Sequence, residues 1–457
     1  MHGFSQILTS AAVHNGTHGA EPYLAAAIFI ASYIIIATDK IDRTIVAMVG
    51  AALMLIVGLV EQVDAFNYID LKVILLLAGM MIVVNIVKRS GLFEWLAIST
   101  AKLTGGRPLL LLITLSFVTA VVSAFLDNVT TMMLIAPMTL LIANMLRINP
   151  VPLLISETLA SNIGGTATLI GDPPNLLVGS AANFSFLDFL TNMAPIVFVI
   201  LIVFLFMDWG MFGKKMKKIH PNLAAMTSLD PRKVIKDKLL LWESIIVLVL
   251  IFVAFVVHDM LGLKPATIAI SGAALLLIIT QINNMIGPKQ HRIGSIDELF
   301  SEIDWHTLFF FIGMFIMIAG LEASGVIGII LSALTNLTNL SPFFLAMLIM
   351  WGAAVLTMVT SAVPFVIAMV PIINGLAALP EFSAHINVMW WSLALGACLG
   401  ANGTFVGSAA NMVVIGISNK SGHPITFKQF SKQGLPITFV SLLLSSVYIW
   451  IRYFLLA

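Results

Sequence analysis

Residues 164–175 read GGTATLIGDPPN and residues 400–411 read GANGTFVGSAAN. Each sits in a stretch otherwise apolar enough to enter a bilayer, yet each is dense in Gly, Asn, Asp, Ser or Pro. A continuous lipid-facing helix does not choose such residues, because backbone groups freed in hydrocarbon find no water. Both stretches are therefore read as breaks in crossing helices, spanning about 151–182 and 387–418. They keep Gly, Thr, Gly and Asn in register, which points to an internal repeat.

Working outward, DLKVILLLAGMMIVVNIVKRSG at Asp70–Gly91 pairs with DWHTLFFFIGMFIMIAGLEASG at Asp304–Gly325, with Asp, Gly, Met, Ile, Ser and Gly in register. The repeat period is near 235 residues. Two apolar arms that meet at a polar tip precede each break, at about 108–146 and 342–379. As full crossings they would scramble the charges of the loops; as re-entrant hairpins they leave ten crossings. Continuous spans are expected at Leu24–Thr38, Thr44–Val60, Leu71–Val87, Leu187–Trp209, Leu239–His258, Pro265–Gln281, Trp305–Leu321 and Leu435–Tyr453.

The loops then sort by the positive-inside rule. Twenty of the 23 Lys and Arg fall on one side, and only Lys72, Lys264 and Arg452 on the other. Both termini are expected outside, in a bacterial-type inner membrane. Five crossings per half, an odd number, turn the second copy upside down relative to the first. The expected fold is thus an all-α polytopic membrane protein of two inverted repeats, a plan that places transporter sites at the repeat interface. Residues 1–23 form an external tail, 24–212 the first repeat, 213–238 a basic cytoplasmic linker and 239–457 the second repeat.

Composition agrees with this. Of 457 residues 60% are hydrophobic and 10% charged, with a mean hydropathy of +1.05, against roughly a quarter charged in soluble domains. The lipid bilayer is the first partner. Basic residues confined to short loops, with a net charge of +1, argue against a nucleic-acid partner. The absence of Lys and Arg from Met1–Tyr23 argues against a cleaved leader. The single Cys398 excludes an intrachain disulfide and any multi-thiolate metal site. No cofactor is implied, and no phosphate-binding loop offers ATP as a direct energy source.

Charge inside the membrane is costly and marks function. Asp127 and Asn128, in SAFLDNVTTMMLIAP, lie at the first hairpin tip. Asp127 either coordinates a cation or proton, with Asn128, Thr130 and Thr131 adding neutral oxygens, or caps the second arm. Asp172 lies at the first break and either neutralises the positive end of the following half-helix or couples ions. Asn162, Gly165, Thr166, Thr168 and Asn175 surround it. The second half offers Thr360, Ser361, Asn402, Thr404, Ser408 and Asn411 but no carboxylate, since Ser408 stands where Asp172 would repeat. Glu157 is read either as a proton relay or as an interfacial anchor; Asp208, Asp259 and Glu322 as solvated anchors at helix ends. His2, His14 and His18 belong to the tail, and Cys398 to packing.

At ASNIGGTATLIGDPPN (Ala160–Asn175), SAFLDNVTTMMLIAP (Ser123–Pro137) and NGTFVGSAANMVVIGIS (Asn402–Ser418) the chain resembles the arsenite-permease and sodium/proton-antiporter group of the ion-transporter superfamily, including the branch of the melanosomal P protein. The resemblance covers nearly the whole chain. It implies a scaffold domain, a mobile transport domain of hairpins and broken helices, elevator-like movement and a homodimer. It also implies a site at Asp127, Asn128, Thr130, Asn162, Gly165, Thr166, Asp172 and Asn175, matched by Asn402, Thr404 and Asn411. Relatives often carry an Asp-Asn pair at the second hairpin, where this chain reads SAVPFV.

The expected function is secondary transport of a small inorganic substrate, not enzymatic: proton-coupled export of arsenite or antimonite through Asp127 or Asp172, with a soluble ATPase as a possible partner. The alternatives are sodium/proton antiport and sodium-coupled dicarboxylate transport, the latter needing bound cations to offset two Asp. An intramembrane aspartic protease would require Asp127 and Asp172 to share a proton.

Overall fold

A computed structural model describes residues 19–38, 40–217, 230–235, 237–286, 296–335 and 341–456. The His-bearing start (1–18) and most of the expected linker (218–229) lie outside the described residues. Among the described residues all regular structure is helical.

In the first half, α1 (Glu21–Thr38) is followed by α2 (Arg43–Ile56), which begins where Asp42 accepts from the backbone N–H of Thr44 at 2.8 Å and of Ile45 at 3.3 Å. Next come α3 (Gln62–Asn67), α4 (Leu71–Arg89), α5 (Leu92–Leu103), α6 (Pro108–Ser123), α7 (Asn128–Leu146) and α8 (Val151–Gly165). α9 (Pro173–Ala182) starts on Pro, whose fixed φ suits a first turn, and stops at Asn183 in the left-handed region. The reciprocal cap between Ser185 and Asp188 then starts α10 (Phe186–Asn192), and α11 (Ala194–Met216) follows after Met193.

The second half runs α12 (Lys238–Leu261), α13 (Pro265–Ile286), α14 (Ile296–Ser301), α15 (Trp305–Ala323), α16 (Val326–Thr335), α17 (Pro342–Val359), α18 (Ala362–Ala377), α19 (Pro380–Ser383) and α20 (Ile386–Gly400). A short 3-10 turn at Phe405–Gly407 leads to α21 (Ala409–Lys420) and α22 (Phe427–Trp450). The helices are interrupted at the polar tips, 124–127 and 360–361, and at the Gly-rich stretches, 166–172 and 401–408. Three expectations change. The span expected over Leu187–Trp209 is two helices: the Ser185–Asp188 cap starts a short one, and Met193 separates it from the next. The last helix begins at Phe427 rather than Leu435, behind a capping box of Thr426 and Gln429. The short helices α5 and α16 were not anticipated.

Ten of the described helices are long and apolar enough to cross a membrane, by length and composition, so the chain is a multi-pass membrane protein. They include both arms of the first hairpin and one of the second, whereas α2, α18 and α20 are shorter apolar helices.

The chain forms two compact units, each drawn from both halves of the sequence. One comprises Met1–Leu71, Trp305–Leu345 and Ile367–Ile386. In it α15 lies on α2, with Gly313 against the Ala47 backbone, where a Cβ would stand 2.8 Å from the carbonyl atoms. Small residues let membrane helices approach this closely. Thr44 Oγ1 donates to His306 O at 3.0 Å. Tyr68 donates to Glu322, which is half-buried and so not the solvated anchor expected. Burial, with the Glu322 charge beside it, pushes the Tyr68 phenol up, so the donor keeps its proton.

The other unit comprises Lys72–Asp304, Ala346–Val366 and Asn387–Ala457. Here Gly79 of α4, the counterpart of Gly313, lies on the Ala269 backbone of α13. Gly79 and Gly313 thus each pack on a helix from the other half of the sequence. Arg89 at the end of α4 pairs with Glu302 at 2.9 Å and Glu298 at 3.3 Å.

Candidate functional site

All of the site lies in the second unit. α8 ends at two glycines, and a Cβ on Gly164 would stand 2.6 Å from Ala120 Cα of α6. Gly165 and Gly171 then cross backbone to backbone, so a Cβ on Gly171 would meet Gly165 O at 2.6 Å. The loop between them is braced by one side chain. Asn175 Nδ2 points at the carbonyls of Thr168 (2.8 Å), Thr166 (3.1 Å) and Gly165 (3.3 Å), three acceptors sharing two hydrogens. Thr168 Oγ1 donates to Ala124 O at the first hairpin tip, tying break to hairpin.

The second break repeats this pattern with two carbonyls in place of three. Asn411 Nδ2 donates to Ala401 O at 2.9 Å and Thr404 O at 3.0 Å, and Thr404 Oγ1 donates to Met358 O of α17 at 2.5 Å. Gly400 lies against Ala354 as Gly164 does against Ala120. These braces answer the backbone groups that the breaks free from helical bonding.

Between the two braces lies a web of neutral side chains around Asn162. Its Nδ2 donates to Asn402 Oδ1 at 2.8 Å and Asn411 Oδ1 at 2.9 Å. Its Oδ1 accepts from Asn128 Nδ2 at 3.1 Å and Ser408 Oγ at 3.3 Å. All four of its hydrogen-bonding capacities are used. Asn128 Nδ2 also donates to Asp172 Oδ1 at 3.2 Å. Asn402 Nδ2 donates to Leu159 O at 3.3 Å, and Cys398 Sγ approaches Asn175 Oδ1 at 3.4 Å. The members are closed to solvent: Asn162, Asn175 and Asn411 are 0% exposed, Asn402 1%, Asn128 2% and Asp172 5%.

The structure therefore brings Asn128, Asn162, Asp172, Asn402 and Asn411 together, with Asn175 as a brace. Asp172 occupies the N-cap position of α9 without a capping bond and turns to Asn128 instead. Asp127 does cap, accepting from Thr130 N at 2.9 Å, and borders a cavity of about 10 Å³ with Leu76, Met80 and Ile170, roughly the space of one water. Thr130 contributes its backbone N–H. Thr166 Oγ1 turns back to Asn162 O at 2.7 Å, and Gly165 serves close approach. Thr404 is spent on its brace. Ser361, at the second hairpin tip, is half-buried, and none of these bonds reaches it.

Glu157 is fully buried and accepts from Thr139 Oγ1 at 2.8 Å. The surface-anchor reading of Asp208 is corrected: α11 continues past it to Met216, and the side chain is fully buried against Gln433 of α22. Asp259, by contrast, is an exposed anchor. Ser408 and Cys398 belong to the web more than the sequence signalled. The repeat register was the available clue, since it sets Cys398 opposite Asn162, and each reaches an Asn of the other break.

Over residues 33–396 the chain matches the family model described as "Citrate transporter" (CitMHS). It is 39% identical over 437 residues to an uncharacterized transporter of Mycobacterium tuberculosis, covering 95% of this chain and 99% of that protein. An uncharacterized transporter of Synechocystis is 29% identical over 454 residues, 93% of this chain and 96% of the relative. The human P protein is 27% identical over 511 residues, 94% of this chain and 60% of its own length. The chain belongs to the citrate transporter family and is a membrane transporter.

Proposed function

We propose that this member of the citrate transporter family is a secondary active transporter, driven by H⁺ or Na⁺, for a small oxygen-rich acid that travels with its charge offset by cations. The observation that carries this reading is the composition of the web. Asp172 is held by an amide, its neighbours are amides, a hydroxyl and the Cys398 thiol, and no Lys or Arg takes part in the bonds described. A bare polycarboxylate would meet Asp172, with Asp127 next to its partner Asn128 in the chain, and like charges at low dielectric repel strongly. A polycarboxylate such as citrate carrying protons, Na⁺ or a divalent ion brings its own compensation. Asp172 and Asn128 are the proposed ligands of the coupling cation, and Asn162, Asn402 and Asn411 those of substrate oxygens.

A second reading has the same support in the neutral donors: arsenous acid, an uncharged triol, needs hydroxyl and amide partners and no basic residue. Sodium/proton antiport through Asp127 and Asp172 is the third. The inverted arrangement of the halves, the outward termini, the inner-membrane location and a homodimer complete the proposal. A protease is disfavoured because Asp127 takes Thr130 N and Asp172 takes Asn128, each its own partner.

The test is uptake into proteoliposomes of citrate with and without Mg²⁺, of arsenite and of Na⁺, each under an imposed pH or Na⁺ gradient. Cation-dependent citrate accumulation is expected. Arsenite flux without citrate flux would replace the first reading by the second, and Na⁺-evoked proton release with neither solute would install the third.

A further inference from the structure

Apart from the break loops, α8 joins a second buried polar cluster. Gln433 Nε2 of α22 donates to Ser156 Oγ of α8 at 2.8 Å and to Asp208 Oδ1 of α11 at 3.0 Å. Both hydrogens of that amide are then used. Ser156 and Asp208 are 0% exposed and Gln433 4%. Asp208 Oδ2 nevertheless has no hydrogen-bond partner among the described residues.

A carboxylate sealed from water with one bare oxygen is a costly place for negative charge, and buried ionisable groups answer that cost by binding a proton. Among the described residues the surroundings supply no cation to hold the charge instead. Of the helices packed against α11, α6 has no titratable side chain. α8 has Glu157, which is turned to Thr139. α10 has Asp188, engaged with Ser185, and α22 has Lys428 and Lys432, both exposed, and Tyr448, which donates to Asn192 O. On α11 itself Lys214 is exposed.

We propose that Asp208, Gln433 and Ser156 form a second proton-binding site, in which Asp208 Oδ2 takes up and releases a proton while Gln433 keeps Oδ1 engaged. Two connections lead from it to the web. Ser156 lies six residues before Asn162 on α8, about 9 Å of helix rise. Gly434, next to Gln433, lies against the backbone of Asn402 and Gly403. Loss of the proton leaves a buried charge that the Ser156 hydroxyl must turn to solvate while Gln433 stays on Oδ1, which pulls on α8 against α22. The use of the proton for coupling rests on the proposed function above; its binding does not.

The test separates the two. Infrared spectra of the full-length protein in liposomes, titrated with acid and base alone over roughly pH 5 to 9, read protonated carboxyls directly. A carboxylic-acid C=O band that titrates in the wild type, is missing from Asp208→Asn, and shifts in frequency in Gln433→Leu is the expected result. A band that is missing from Asp208→Asn but does not titrate in the wild type would overturn the proposal, as would spectra identical in wild type and Asp208→Asn. In the same liposomes, citrate–Mg²⁺ or arsenite counterflow in Asp208→Asn should stay within about twofold while pH-driven accumulation falls roughly tenfold. Counterflow that shows a folded carrier with unchanged pH-driven accumulation would overturn the coupling role. If neither solute moves in the wild type while the band titrates, the proton site stands and the substrate reading falls.

Discussion

The two breaks are built alike and equipped differently. Asn175 and Asn411 brace their loops through matching carbonyls, Thr168 and Thr404 tie each loop to its hairpin, and Gly164 and Gly400 let each broken helix touch a hairpin arm. Yet the first break carries Asp172 where the second has Ser408, and the first hairpin tip carries Asp127 and Asn128 where the second has Ser361 and Ala362. The repeated residues are those that keep broken backbone satisfied in lipid, and the unrepeated ones carry charge. Architecture is therefore shared between the copies, while the carboxylates at break and hairpin tip are confined to one.

If that division is right, substitutions in the shared set should cost stability equally on both sides. The largest effect is expected at the glycines. A Cβ on Gly164 would stand 2.6 Å from Ala120 Cα, and one on Gly400 would stand 2.5 Å from Ala354 Cα. Those neighbours are backbone and cannot swing away, so Gly164→Ala and Gly400→Ala should each cost more than about 3 kcal/mol, at the upper end of overpacking penalties. Thermal unfolding of the detergent-solubilised protein, followed by monodispersity, would measure this. One variant folding normally while its counterpart fails would break the equivalence.

The bracing asparagines come next, and here a small inequality sharpens the comparison. Asn175→Ala and Asn411→Ala each strand buried carbonyls, at about 2 to 3 kcal/mol. Asn411 also accepts from Asn162 at 2.9 Å, whereas Asn175 accepts only the long Cys398 contact at 3.4 Å. Asn411→Ala should therefore be the more damaging by about 1 kcal/mol. The reverse order would mean that the Asn162 web contributes little to holding the fold.

The unrepeated set should behave oppositely, costing function and not stability. Asp172→Asn keeps an acceptor for Asn128 and removes the charge, so unfolding should move little while gradient-driven accumulation drops about tenfold or more. Ser408→Ala removes a 3.3 Å bond to Asn162 and the 3.2 Å cap on Ala410 N, and should lower uptake only a few-fold, with about 1 to 2 kcal/mol in stability. Equal losses of coupling in the two variants would show that charge is not confined to the first half.

Much of this division was legible in the sequence because it depends on backbone demands that few residue types meet. Gly164, Pro173 and Asn175 announce a break, and the tip Asp127–Asn128 announces a hairpin, since Gly, Pro, Asp and Asn in hydrocarbon need a reason. What could not be read was which face of a continuous helix a polar residue takes. Asp208 stands beside Trp209 and Gly210, near a basic stretch, and looks like an anchor. Its burial is decided by Gln433, far away in sequence. Asn175 posed the same problem in reverse: its residue type fits a ligand, and only the positions of three carbonyls make it a brace. The Ser185–Asp188 cap that starts α10 is a local signal that the apolar run after it obscured.

Cys398 offers the finest comparison, because the repeat register sets it opposite Asn162. Asn162 Nδ2 reaches Asn411 at 2.9 Å, and Cys398 Sγ reaches the equivalent Asn175 at 3.4 Å. The copies thus clasp each other twice, once with a strong donor and once with a weak one. In Cys398→Ser the hydroxyl is a better donor, but the C–O bond is shorter than C–S, so the oxygen falls short of Asn175 unless the helix shifts. Gain and loss should nearly cancel, leaving a stability change within about 1 kcal/mol and transport close to wild type. A larger loss would mean that sulfur is needed at this position beyond its packing, and the second clasp would then have to be counted among the functional contacts rather than the architectural ones.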